Sequence, residues 1–187
     1  VNIGGITTNG IDLATHYKLP STSVGDFKVG LDWTFLRSFV QVVPNSASAT
    51  GFTPTELAGS TTAFGGFPKQ KANLSLNWNY GDFTAVWNVQ YIYSMTEGCP
   101  KAGFTGGLCS NLGTSAGTSS NYIGKTVYHD WQFGYHLDGW NTDLTFGIRN
   151  VFDKQPPTAL TAFANSFLPA FYRVPGREFY GRVTVKF

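Results

Sequence analysis

Apolar and polar side chains alternate along seven stretches of this chain: residues 7–17, 26–42, 71–80, 82–95, 122–137, 141–152 and 176–187. Successive side chains of an extended strand point to opposite faces, so each stretch predicts a strand with one apolar and one polar face. The cleanest is 71–80, where Ala72, Leu74, Leu76, Trp78 and Tyr80 alternate with Lys71, Asn73, Ser75, Asn77 and Asn79. Phe27, Val29, Leu31, Trp33 and Phe35 are set in the same way against Asp26, Lys28, Gly30, Asp32 and Thr34. Further on, Val127, His129, Trp131, Phe133, Tyr135 and Leu137 alternate with Tyr128, Asp130, Gln132, Gly134 and His136. Over 82–95 the polar row is interrupted by Val86 and Ile92. The 26–42 stretch far exceeds the roughly 5–6 residues of an ordinary strand. No segment carries a helical period, and no apolar run approaches the roughly 18 residues of a membrane helix.

The last stretch places Phe179, Gly181, Val183, Val185 and Phe187 on one face and Glu178, Tyr180, Arg182, Thr184 and Lys186 on the other. It runs to the final residue and stops on an aromatic. Bacterial outer-membrane β-barrels close in this way, and the stretch resembles the C-terminal signal that their assembly machinery reads. The resemblance implies that Phe179, Val183, Val185 and Phe187 form that signal, with the assembly machinery as a partner.

Connections between the predicted strands alternate short and long. Short ones lie near 18–25, 80–82 and 138–140, marked by Pro20, Gly25, Gly81-Asp82 and Asp138-Gly139. Long ones cover 43–68, 96–121 and 153–175. Loops of this length are uncommon in compact soluble domains, and three at one end match the asymmetry of a transmembrane barrel. The polar faces are rich in Asn, Ser, Thr and Gly and poor in Lys and Glu, unlike a solvated surface. Lipid on the apolar faces and a polar lumen on the others suits both sets. Tyr17, Phe27, Trp78, Tyr80, Phe83, Tyr135, Trp140 and Phe187 then fall beside the short turns or the C-terminus, as an interfacial girdle would.

Composition agrees. Aromatics make up 16% of residues and charged residues 13%, about half the charged share of a soluble domain. A net charge of +2 is too weak to point to nucleic acid. Cys99 and Cys109 share a Gly/Ser-rich stretch without a nearby His, which favours a local disulfide in an oxidising compartment over a zinc site. Val1 is not an initiator Met and no signal peptide precedes it. Seven strands is an odd number, whereas complete bacterial barrels have an even one. The expectation is therefore a piece of a larger barrel, with the upstream strands elsewhere.

Three motifs carry a resemblance to one family. They are Tyr128-His129-Asp130-Trp131, the run from Gly147-Ile148-Arg149-Asn150-Val151-Phe152-Asp153 through Lys154-Gln155-Pro156-Pro157, and Tyr172-Arg173-Val174-Pro175-Gly176-Arg177-Glu178-Phe179-Tyr180. Gly10-Ile11-Asp12-Leu13 adds what looks like that family's strand opening. Together they resemble the C-terminal barrel of TonB-dependent outer-membrane receptors of Gram-negative bacteria. The resemblance implies an all-β fold: an antiparallel transmembrane segment of about seven strands from a 22-stranded barrel, spanning 1–187 with the plug domain and upstream strands absent. It implies TonB-dependent uptake of a scarce nutrient such as a siderophore, cobalamin or glycan. Implied partners are the remaining barrel and plug, the TonB–ExbB–ExbD complex acting through that plug, and outer-membrane lipid. The alternatives are a passive porin-like channel, an adhesin, or a soluble ligand-binding β-barrel.

Candidate site residues follow from the faces. Asp12, Lys28, Asp32, Lys71, Asp130, Arg149 and Arg182 read as lumen-facing charges, with Glu178 and Lys186 beside them. Cross-strand pairs and contacts to a plug are one account, a polar path for substrate the other. In the long loops, Phe64, Phe67, Phe104, Phe167 and Tyr172, with Phe163 and Phe171, are aromatics suited to ligand contact or to loop packing. His129 and Asp130 point to opposite faces and cannot converge on one ligand. His16 and His136 are lone histidines on polar faces. Asn150 and Asp153 read as Asx-type turn residues. No Gly-rich phosphate loop, paired-carboxylate signature or HExxH motif occurs, so the sequence predicts no enzyme, no cofactor and no metal site.

Overall fold

The computed structural model describes residues 4–44, 51–62, 65–98, 120–162, 166–174 and 176–186. In chain order the strands are β1 (Gly5–Lys18), β2 (Asp26–Pro44), β3 (Phe52–Glu56), β4 (Thr61–Thr62), β5 (Gly65–Gly66), β6 (Gln70–Tyr80), β7 (Phe83–Ile92), β8 (Met95–Gly98), β9 (Ser120–Ile123), β10 (Thr126–Leu137), β11 (Thr142–Arg149) and β12 (Glu178–Val185). A single 3-10 turn, Asp138–Trp140, joins β10 to β11, and the described residues contain no α-helix. Seven strands form one antiparallel sheet in the order β1-β2-β6-β7-β10-β11-β12, and β3 adds to the side of β2. β4–β5 and β8–β9 are separate two-stranded ladders.

All seven expected strands are present, and their register sorts the side chains. Tyr17 lies opposite Val29, Val29 opposite Leu76, Leu76 opposite Trp87, Trp87 opposite Trp131, Trp131 opposite Ile148 and Ile148 opposite Phe179. One apolar row thus crosses the whole sheet. On the opposite face Lys18, Lys28, Asn77, Val86, Gln132, Gly147 and Tyr180 form a second continuous row. The residues opposed in such pairs interact directly, so each ladder reinforces the sorting. Near the short turns, Tyr80, Phe83 and Tyr135 stand side by side, with 4.7 Å between the Phe83 and Tyr135 rings. Trp78 donates its indole N–H to the Val24 carbonyl at 2.7 Å, above Gly25, which holds φ at +113° and has no room for a Cβ.

Five sequence expectations need correction. The 43–68 stretch is not wholly irregular: β2 runs on to Pro44 and β3 returns beside it. The 82–95 strand stops at Ile92 and the 122–137 strand is broken at Gly124-Lys125. The cause is shared, because Ile92, Met95 and Ile123 leave the sheet's alternation to enter one buried cluster. The 141–152 strand ends at Arg149, where Asn150 and Asp153 adopt positive φ. Gly10-Ile11-Asp12-Leu13 does not open a strand; it lies mid-β1, at a β-bulge between Asn9 and Gly10.

The buried core is small and lies off the apolar face. Ile92, Met95, Ile123, Tyr128, Ala159, Leu168 and Tyr172 form it, with Ala162, Phe167 and Phe171 packed against them. Ile92 and Tyr128 reach it from the polar side, opposite Lys71 and Gln90 respectively. The apolar rows on the other face remain exposed, including Ile11, Leu13, Trp33, Trp87, Trp131, Phe133, Phe146 and Phe179.

Gly147 shows how tightly the polar face is fitted. Tyr180 lies across it, donates a hydrogen bond to Gln132 Oε1 at 2.9 Å and carries the Arg149 guanidinium 5.1 Å from its ring centre. A Cβ on Gly147 would strike the Tyr180 ring. Gly147→Ala is expected to cost about 1–3 kcal/mol in denaturant unfolding, as overpacking does. Gly5→Ala, with open space around it, serves as the near-neutral control.

Candidate functional site

Three long connections gather at one end of the sheet, and the last of them folds back over the polar face. Its anchor is Arg173. The guanidinium Nη1 donates to both Asp130 oxygens at 2.7 Å, Nη2 donates to Gln90 Oε1 at 3.1 Å, and the Tyr128 ring lies 5.2 Å below. The Arg173 backbone N–H also donates to the Tyr128 hydroxyl at 3.2 Å. Asp130 accepts a further bond from the Asn150 backbone N–H at 2.8 Å, so one carboxylate ties β10 to the start and the end of the same connection. Asn150 is buried and spends its amide within the turn, accepting from the Lys154 N–H and donating to the Lys154 carbonyl. Asp153 accepts from the Arg177 N–H at 2.9 Å, which brings the connection back to β12.

A second carboxylate holds the loop cluster from inside. Glu97 is fully buried. Oε1 accepts from Asn121 Nδ2 and the Leu160 N–H, both at 2.6 Å, while Oε2 accepts from the Thr161 N–H at 3.0 Å and the Thr161 hydroxyl at 2.7 Å. Four neutral donors thus surround one charge, and a buried carboxylate is tolerated only when hydrogen-bonded in this manner. On the first long connection, Glu56 accepts from the Ser38 hydroxyl and the Phe39 and Ala58 amides; these bonds, Ser38 foremost, hold its carboxyl down to about 2.

Between the returning segment and the sheet lies a cavity of about 470 Å³, within the range of small-molecule sites. Its wall includes Asp130, Arg149, Arg173 and Glu178, with Phe167, Pro169, Tyr172 and Val174 on the loop side. Arg149 Nη1 donates to Glu178 Oε2 at 3.2 Å and both side chains stay half exposed. Tyr172 is only 3% exposed, and its hydroxyl has no hydrogen-bond partner among the described residues. Burial pushes that hydroxyl up to about 12. Across the segment, a smaller polar hollow of about 190 Å³ is lined by Asp32, Lys71, Gln90 and Phe171.

All seven charges expected to share the polar face do so. Asp12 stands opposite Thr34, Lys28 between Lys18 and Asn77, Asp32 between Ala14 and Asn73, Lys71 between Thr34 and Ile92, and Arg182 opposite Thr145. Asp130 and Arg149 meet at the large cavity, and the Lys71 ammonium lies 5.7 Å over the Phe171 ring. Asp12, Lys28 and Arg182 line neither hollow. Lys186 pairs with Asp143 at 3.0 Å, and Asp143 also bonds His136, near the short turns. His129 and Asp130 do face opposite ways: the Trp87 indole donates to His129 Nδ1 on the apolar side. His16 lies beside Gly30 on the polar side.

Of the loop aromatics, Phe67 packs tilted against Phe39 with centres 4.2 Å apart, Phe167 packs on the core, and Tyr172 belongs to it. Cys99, Cys109, Phe64, Phe104, Phe163 and Phe187 lie outside the described residues. Phe179, Val183 and Val185 are exposed on the apolar face of β12. Sequence reasoning missed Glu97, quoted Arg173 only within a motif, and placed Tyr128 in a motif and in the polar row of its strand without giving it a role. A polar residue beside the short apolar run of a loop gives no periodic signal. Among the described residues, no three His, Cys, Asp or Glu side chains gather as a metal site.

Two outcomes follow. Glu97→Gln turns an amide N–H toward donors, leaving at least one of them unmet at a cost of about 1–3 kcal/mol. Limited proteolysis near 158–161 should accelerate while the sheet's far-ultraviolet dichroism stays constant. For Tyr172, the folded value lies above the ordinary 10.0, so its contribution is complete below pH 10 and is lost as pH rises toward about 12. Thermal unfolding followed over that window should show a decline that Tyr172→Phe removes.

Comparison with protein-family models, with curated proteins and with solved structures returned no match to this chain.

Proposed function

We propose that this chain is the C-terminal wall of a TonB-dependent outer-membrane receptor, supplying barrel strands, extracellular loops and the closing strand for active uptake of a scarce nutrient. The observation that carries the reading is the inversion of the sheet. Its continuous apolar face is exposed, while the buried core sits at one end of the polar face. A soluble sandwich would bury the apolar face against a second layer. Monomeric soluble proteins rarely leave an apolar patch larger than a few hundred Å² in water, whereas lipid is a matching solvent.

Three further features agree. Strands are long, connections are short at one end and long at the other, and aromatic rows run beside the short turns. β1 and β12 each pair along one side only among the described residues. Open edges do not persist in a bilayer, so both would pair with further strands of the same barrel. Loop capture, followed by TonB-driven plug rearrangement and passage along the polar face, is the mechanism in this reading. The motifs from Gly147 to Asp153 and from Tyr172 to Tyr180 are what favour a TonB-dependent receptor over a passive channel.

The native protein should remain with outer membranes through alkaline extraction and require detergent for release; recovery in the aqueous fraction would overturn the reading. Trp131→Lys, mid-strand on the apolar face, should cost roughly 2–4 kcal/mol and reduce assembled barrel. Asn73→Lys, exposed on the other face opposite Asp32, should assemble normally. Equal effects of the two would show that neither face meets lipid.

A further inference from the structure

We propose that the 190 Å³ hollow between β2, β6, β7 and the 166–174 segment is a binding site for a small zwitterionic α-amino acid, with Asp32 taking its ammonium group and Lys71 its carboxylate. Such a site goes beyond the receptor reading and does not require it.

Asp32 and Lys71 are the charged residues of this wall, and neither is matched by the protein. Among the described residues, Asp32 makes no ion pair or side-chain hydrogen bond. The Lys71 ammonium meets no carboxylate either and lies 5.7 Å over the Phe171 ring. Register separates the two charges. Asp32 stands opposite Asn73 and Lys71 opposite Thr34, so they occupy diagonal positions, roughly 7–8 Å apart. An α-amino acid carries its ammonium and carboxylate on one carbon. Placed between the two side chains, it spans that gap with a charge-assisted hydrogen bond of about 2.7–2.9 Å at each end. A simple anion would gain Lys71 but bring its charge beside Asp32, and a simple cation would do the reverse. A neutral molecule would satisfy neither charge. The larger cavity differs, since its Asp130 and Glu178 already hold arginines.

The neutral groups of the wall fit the same ligand. The Thr34 hydroxyl and the Asn73 amide line the hollow without a side-chain hydrogen bond among the described residues, and each can both donate and accept. Gln90 spends its Oε1 on Arg173, which leaves its amide N–H groups to donate to a carboxylate. The volume lies below the roughly 300 Å³ at which drug-sized sites begin, so the ligand is small. Asp32 and Lys71 are exposed, and the ligand reaches them from the open polar face. Ala170 and Phe171 close the hollow on the segment side, and Arg173 pins that segment to Asp130 and Gln90. The wall is therefore in place before the ligand arrives, and little ordering opposes binding.

The test titrates the full-length protein in detergent, by calorimetry at neutral pH, with glycine, alanine and serine. Two analogues run in parallel: N-acetylalanine, which lacks the ammonium, and alanine methyl ester, which lacks the carboxylate. At least one of the amino acids should bind saturably, with both analogues weaker by about tenfold or more. Asp32→Asn should weaken that amino acid about tenfold and abolish its preference over N-acetylalanine. Lys71→Gln should weaken it to a similar extent and abolish its preference over the methyl ester. A general loss of structure would not divide by charge in this way. Lys28→Gln, on the same face but lining neither hollow, should leave the affinity unchanged. No saturable binding of any of the three amino acids, an analogue that binds as tightly as they do, or full affinity in Asp32→Asn would overturn the site. Membrane retention without amino-acid binding removes the site and leaves the receptor reading standing. Amino-acid binding by a protein released without detergent does the opposite.

Discussion

Antiparallel register is the constraint on which the rest of this molecule depends. Six ladders set apolar against apolar and polar against polar from Tyr17 through Phe179. A slip of one residue in any ladder would move a whole strand's aromatic set to the other face. Several close fits hold the register in place. Gly147 lies against the Tyr180 ring, and Gly25 against the Asn79 carbonyl and the Trp78 indole, with no room for a Cβ at either. The bulge at Asn9/Gly10 absorbs one extra residue of β2 where the two longest strands run together.

With the sheet's two faces so divided, the burial has to be arranged unusually. The apolar side holds most of the large side chains and leaves many of them exposed. The polar side holds the core, but only at the loop end, where Ile92 and Tyr128 break the polar row and Leu168 and Tyr172 descend onto them. The two interruptions that look like defects in strand periodicity, at Ile92 and between Ile123 and Thr126, are the points at which the loops attach to the wall.

Charge is handled differently at the two depths of this attachment. Glu97, fully buried, has neutral donors on both oxygens. Asp130 and Glu178, closer to the cavity, take arginines. Removing one member of a partly buried pair leaves the other uncompensated, so the Arg173–Asp130 contact specifies where the last connection lies as much as it stabilises it. The cavity is the space left between that contact and the exposed Arg149–Glu178 pair.

Strand identity, face assignment and the sharing of one face by Asp12, Lys28, Asp32, Lys71, Asp130, Arg149 and Arg182 were determined by the sequence alone. Alternation is a local property: a strand's two faces are set by neighbours two residues away, and the short turns carry their own Gly and Asp signals. The roles of Glu97 and Arg173 were decided only by the tertiary structure. Glu97 meets Thr161 across 64 residues and Arg173 meets Gln90 across 83, and nothing in the local pattern encodes such a distance. The same holds for Tyr172, which reads from sequence as one loop aromatic among several. Its burial and its place in the cavity wall exist only because the last connection folds back onto strands formed far earlier in the chain.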